Sequence, residues 1–232
     1  MSKKKINLII SIVVLLLVLI GIGWYFSADL VKLLPQQQEP VVLSEFKVVR
    51  TDLSEDQISQ YRQEFDRLLG LLDESPDDFY VLLQLGRVKK DVGDYHGAEA
   101  IWIRVGEISP QNSVSFGNLA DLYTNFMFDK DKALAAYRTA VANSANEPIN
   151  LPFYRNFYDF YRYSLNDMEG AKQVLLEAIA NNPLSSELHV LLAQFYLDND
   201  QQEQALRSFQ EALKIDPDDE LIKAEIEKLN KR

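Results

Sequence analysis

The chain has 232 residues, no cysteine and a formal net charge of −11 at pH 7. The absent thiols exclude disulfides, a thiolate nucleophile and any Cys-ligated metal. With Lys3, Lys4 and Lys5 set apart, 21 basic side chains face 35 acidic ones, and so acidic a surface repels phosphate backbones, so nucleic acid is not an expected partner.

Ile6 to Phe26 reads INLIISIVVLLLVLIGIGWYF, with Asn7 and Ser11 its only polar members. As a helix rising about 1.5 Å per residue the run spans roughly 30 Å, the depth of a hydrocarbon core. Its backbone amides then pair within the segment, as lipid requires. Trp24 and Tyr25 fall where an interfacial aromatic belt belongs. A cleaved signal peptide has a shorter apolar core and a small-x-small site, whereas Ser27-Ala28 follows bulky Tyr25 and Phe26. Residues 6–26 are therefore expected to be a single transmembrane helix in contact with the lipid bilayer. Lys3, Lys4 and Lys5 hold a tail of residues 1–5 in the cytoplasm by the positive-inside bias, which puts the C-terminal bulk outside the cytoplasmic (inner) membrane.

Residues 27–53 are expected to be a linker. Pro35, Pro40 and the Gln36-Gln37-Gln38 run break any helix leaving the membrane. The segment acts as a spacer setting the reach of the C-terminal bulk above the bilayer, although Val41 to Val49 is apolar and β-branched enough to form a short strand or pack on the domain.

Residues 54–232 carry the helical signal. Ser54-Glu55-Asp56-Gln57 is a capping-box pattern opening an amphipathic run with Ile58, Tyr61, Phe65, Leu68, Leu69 and Leu72 on one face. Pro76, Pro110, Pro148, Pro183 and Pro217 then follow at intervals of 34, 38, 35 and 34 residues. They divide the chain into units of about 76–110, 111–148, 149–183 and 184–217. Aligned on the prolines, the second half of each unit shows a small residue, a large one four later and a small one three further on. These are Ala98-Trp102-Val105, Ala133-Tyr137-Ala140, Ala171-Leu175-Ala178 and Ala205-Phe209-Ala212. Small residues let two helix backbones approach, and the large one fills the adjoining hole. First-half stripes match them: Leu82, Leu85, Gly86; Phe116, Leu119, Ala120, Tyr123; Tyr154, Phe157, Tyr158, Tyr161; His189, Leu192, Ala193, Tyr196. A charged terminal run over 218–230, with Leu221, Ile222, Ile226 and Leu229 on its apolar face, suits an end cap.

The 34-residue period and the A-x3-F…P pattern, best seen from His189 to Pro217, resemble the tetratricopeptide repeat (TPR) family. The resemblance implies an all-α protein, a TPR-like α-α superhelix. It would be a right-handed solenoid of about four helical hairpins plus flanking helices, behind the transmembrane helix. Three departures stand out. Tyr158 replaces a small residue, Lys89 replaces an aromatic, and units two and three carry one extra residue, placed by alignment in the inter-helix turns at 128–131 and 165–167.

In that family the first helices line a concave groove that takes a partner's peptide or helix. Carried over, the groove residues are Leu83, Arg87 and Lys90, then Asn118, Asp121 and Asn125, then Arg155, Asn156, Asp159 and Arg162, then Gln194 and Asp198. The four basic residues suit an acidic peptide; alternatively Arg155 and Arg162 simply pair with Asp159 on their own helix. Between Phe153 and Tyr163 lie seven aromatics, of which Tyr154, Phe157, Tyr158 and Tyr161 fit the core face while Phe153, Phe160 and Tyr163 point elsewhere.

Catalysis is not expected. His96 and His189 are the only histidines, neither has a metal-ligand partner four residues away in the sequence, and there is no phosphate-cradling glycine loop. No metal, cofactor or small-molecule substrate is implied. The expected role is a membrane-anchored protein–protein interaction scaffold or adaptor. The alternative is a structural subunit, or self-association module, packing through its helix faces.

Overall fold

A computed structural model describes residues 44–144 and 151–231. The expected transmembrane helix at 6–26 and the linker up to 43 lie outside the described residues. Among the described residues no helix is long and apolar enough to cross a membrane.

The described chain is all α-helical, with short π-helical turns. In order, the helices are α1 (Glu55–Glu74), α2 (Phe79–Asp91), α3 (Tyr95–Ile108), α4 (Val114–Leu122), α5 (Lys130–Ser144), α6 (Leu151–Asp159), α7 (Met168–Asn181), α8 (Ser186–Asp198), α9 (Gln202–Ile215) and α10 (Glu220–Asn230). The chain divides into two compact units, 1–138 and 139–232, the division falling inside α5.

The helix starts follow from local chemistry. Ser54 forms the full capping box with Gln57, each side chain accepting from the other's backbone N–H. Asp94, Asp129 and Asp167 each accept a hydrogen bond from the amide three residues on, at 3.0, 3.0 and 2.9 Å, and so begin α3, α5 and α7. Gln201 takes that position before α9 without a side-chain cap. Directly before each of these four residues the backbone turns left-handed, at Gly93 (φ 88°), Phe128 (56°), Asn166 (53°) and Asp200 (57°). Glycine, asparagine and aspartate tolerate that conformation; a phenylalanine there is an outlier.

The extra residue of units two and three is not held in the connecting turns, where alignment placed it. It is absorbed as π-helical turns at Tyr123–Met127 and Phe160–Ser164, which end the first helix of each hairpin. A π-turn accommodates one additional residue by widening the helix locally. Phe160, expected off the core, opens the second of these turns and is buried at 2% exposure.

In the first unit, Gly86 is where α2 and α3 meet: a Cβ there would lie 2.3 Å from Trp102 Nε1. The buried Trp102 donates to the Leu83 carbonyl at 3.2 Å. In both units the small-large-small residues of α3, α5, α7 and α9 are all buried. Three stripes need correction: Tyr161, expected with Tyr154, Phe157 and Tyr158, is only half-buried. On α8 the buried positions include Leu188 and Phe195, while His189 and Tyr196 are only half-buried. On α10 Ile222 is buried and packs with Phe209 and Ile226, but Leu221 is 79% exposed, because it sits on the first turn away from α9.

The linker also departs from a plain spacer. Residues 44–52 run without regular structure against the first hairpin, held by backbone bonds from Val49 and Arg50 to the Val92 carbonyl at 2.8 and 3.1 Å. Phe46 meets Phe65 edge-on at 5.2 Å, with Arg62 over its other side. The packing alternative for the β-branched run therefore holds over residues 44–49.

Candidate functional site

The first helices of both units present polar side chains on the face opposite their buried stripe. Arg87 and Asn125 are exposed and Asn118 and Asp121 half-buried in the first unit; Arg155, Asn156 and Gln194 are exposed and Asp159 and Arg162 half-buried in the second. Leu83 is half-buried beneath its own bonded carbonyl.

Three of the four cations are already engaged. Lys90 Nζ lies 3.0 Å from Asp121 of the next hairpin, and Asp121 also accepts from Asn125 at 2.7 Å. Arg162 donates to Asp198 at 2.5 Å, and Asp198 also accepts from Gln194 at 2.7 Å. Lys90 and Arg162 hold the same place in their repeats, and Asp121-Asn125 corresponds to Gln194-Asp198. The same two places therefore hold one aspartate and one amide, in swapped order. Each unit thus builds the same bridge between successive first helices from a cation, a carboxylate and an amide. Arg155 pairs with Glu187 on α8. The partners lie on the following hairpin, whereas a same-helix pairing of both arginines with Asp159 was the other expectation.

The electrostatics agree with this arrangement. Arg162, then Gln194, hold the Asp198 carboxyl below its ordinary range. Asp159 is raised instead, because burial outweighs the attraction of Arg155 and Arg162. Burial likewise raises the Tyr158 phenol, which accepts from Arg162 at 2.5 Å.

Two buried polar nodes in the first unit escaped sequence reasoning. Lys89, noted only as a departure from the aromatic pattern, is 2% exposed; its ammonium donates to Asp94 at 2.8 Å and to the Glu45 carbonyl at 2.7 Å. It lies 5.5 Å from the centre of the Phe65 ring. Glu99, one residue after the buried Ala98, accepts from the Tyr123 hydroxyl and from Lys132, both at 2.8 Å, while its second oxygen is buried without a hydrogen-bond partner. Burial and then the neighbouring Glu99 push the Tyr123 phenol far above its ordinary value. The lysine in an aromatic place was a signal for the first node; nothing in the sequence marked the second.

Among the described residues no group of three or more His, Asp or Glu side chains is placed to hold a metal ion. His96 and His189 belong to different units, and burial lowers the pKa of His189.

Residues 163–229 match a family model for the tetratricopeptide repeat. No curated protein matches the chain. Solved structures similar to it include a double mutant of MamA RS-1, at 16% identity and a TM-score of 0.51 over 70% of this chain and 88% of that one. They also include a MamA crystal structure (17%, TM-score 0.48, 73% and 97% covered) and a thermophilic TPR protein of Thermus thermophilus (19%, TM-score 0.47, 75% and 93% covered). At such identities the likeness is one of fold, and it rests on the superposition at 0.51. The fold is all-α and TPR-like, and residues 163–229 carry the tetratricopeptide repeat sequence itself.

Proposed function

We infer that the chain is a membrane-anchored adaptor that binds a segment of another protein along the first helices of its repeats. The observation that carries this is the exposure of Arg87, Asn125, Asn156 and Gln194 on helices whose opposite faces are buried. Side chains rich in donors and acceptors, left open on a rigid scaffold, suit a peptide or short helix. Because Lys90, Arg155 and Arg162 are paired within the chain and the Asn125 and Gln194 amides donate to Asp121 and Asp198, the free grip comes from Arg87 in the first unit and Asn156 in the second.

The anchoring reading is supported by residues 6–26, long and apolar enough for one crossing, and by Lys3, Lys4 and Lys5 on one side of them. In this reading residues 1–5 are cytoplasmic and the repeats lie outside the cytoplasmic membrane. Protease added to intact spheroplasts then digests the repeat domain; full protection reverses the topology.

The binding reading is tested by cross-linking and affinity capture of the full-length protein beside an Arg87→Glu, Asn156→Ala variant. A partner present with the parent chain and lost with the variant supports it. A partner retained by the variant rules out the first-helix face as its binding surface.

A further inference from the structure

A pocket of about 380 Å³ lies in the first unit, bordering the first-helix polar face where Lys90 Nζ sits 5.4 Å from the centre of the Phe126 ring. One wall is the docked linker, through Lys47 and Val49. The floor is the α2–α3 turn, Gly93 to His96, and the opposite wall is Phe126 and Met127 of the π-turn ending α4. The Tyr95 and Phe126 rings meet at a 44° tilt with centres 5.0 Å apart, and Val49 is 50% exposed. The pocket exists because the linker passes so close to the turn: a Cβ on Gly93 would lie 3.0 Å from the Arg50 backbone nitrogen.

Its charge runs against the rest of the molecule. The Asp94 carboxylate is spent on Lys89 and on capping α3. Lys47 is then the one charged side chain of the lining left without a partner among the described residues, a cation on a chain whose net charge is −11. Next along the chain, Phe128 is 77% exposed and left-handed at the place where the other three turns carry Gly93, Asn166 and Asp200. Conformational strain kept at one turn of four, on a projecting aromatic, points to a use outside the fold.

We propose that this pocket, with Phe128 beside it, receives an apolar side chain from a partner segment that carries carboxylates next to it. The aromatic walls take the apolar group, and Lys47 faces its acidic neighbours. The linker wall makes binding depend on the linker being docked, so occupancy also fixes the repeat domain against its tether.

The probe is a fluorescein-labelled hexapeptide with one central tryptophan flanked by aspartates, titrated by anisotropy against the full-length chain, beside the same peptide with lysines for aspartates. The acidic peptide should bind at least about tenfold more tightly than the basic one, and Phe126→Ala should weaken it about tenfold. Lys47→Glu should weaken it about threefold or more. Phe128→Asn should weaken binding while the protein melts no lower, which separates loss of contact from loss of fold. Equal or tighter binding of the basic peptide overturns the proposal. So does binding untouched by Phe126→Ala and Lys47→Glu, or no binding at millimolar peptide. Concentration-dependent self-association abolished by Phe126→Ala would assign the pocket to a second copy and equally overturn it. Peptide binding lost on Arg87→Glu but kept on Phe126→Ala would place the ligand on the first-helix face and remove it from the pocket.

Discussion

Lys89 Nζ lies 2.8 Å from Asp94 Oδ2, with the lysine side chain 2% exposed and the aspartate 14%. This one pair ties three elements together, because Asp94 also caps α3 and Lys89 also holds the Glu45 carbonyl of the linker. Asp94→Ala removes a cap worth about 1 kcal/mol and strands a buried ammonium at about 3–5 kcal/mol. A loss of about 4–6 kcal/mol in urea unfolding is expected. Lys89→Met keeps the length and apolar stem, so its midpoint should move less. The Val49 and Arg50 amides, bonded to Val92, should then exchange markedly faster with deuterium as the linker loosens.

Phe128 is the clearest place to gain stability. Its left-handed backbone costs a bulky residue about 1–2 kcal/mol, and at 77% exposure its ring returns little packing. Phe128→Asn, the residue used at the matching Asn166, should raise stability by about 1 kcal/mol in the same assay. An unchanged or lower midpoint would show that the ring packs more than its exposure indicates.

The Arg162–Asp198 bridge predicts a pH dependence. The Asp198 carboxyl titrates lower in the folded chain than in the unfolded one. Its stabilisation is therefore complete above about pH 4 and disappears as the pH falls through the folded value. A double-mutant cycle with Arg162→Ala and Asp198→Ala should return about 0.5–1 kcal/mol at neutral pH, and Asp198→Asn should flatten the acid limb. Asp159 has the opposite sign. Burial disfavours its carboxylate, so the ionised group costs stability at neutral pH and the cost fades in acid. Asp159→Asn should raise the melting temperature at pH 7, with a smaller gain below about pH 4.

Glu99 and Tyr123 form the first unit's other buried node. Tyr123→Phe loses one hydrogen bond and should cost about 1 kcal/mol. Glu99→Ala leaves both the phenol and Lys132 without their acceptor and should cost about 2–4 kcal/mol. The Tyr123 phenol is raised above its unfolded value, so its contribution is whole below about pH 10 and lost as alkali ionises the unfolded chain. Tyr123→Phe should therefore unfold less steeply in alkali than the parent.

Helix identity and hairpin pairing were legible because they depend on local spacing. Ala98-Trp102-Val105 and its three counterparts are buried as their 4 and 3 spacing demands, and Ser54-Gln57 caps as its pattern indicates. What depended on register beyond one helix was not. The inserted residues became π-turns, because a helix that must also pack absorbs an insertion at its end, and the burial of Phe160 at the start of one was not legible either. The partners of Arg155 and Arg162 lie on the next hairpin, at a distance of more than thirty residues that no helical period encodes. The linker's contact with Lys89 joins positions 44 apart and was visible only as a lysine in an aromatic place.

If the first helices, and not the second, meet a partner, position-specific cross-linking separates the two faces. A photo-crosslinking amino acid placed in living cells at position 87 or 156, on the first-helix face, should give an adduct with a distinct protein. The same group at exposed Gln173 on α7 or Gln210 on α9 should give none. Adducts of equal yield from 173 and 210, or none from 87 and 156, would contradict a partner on the first helices.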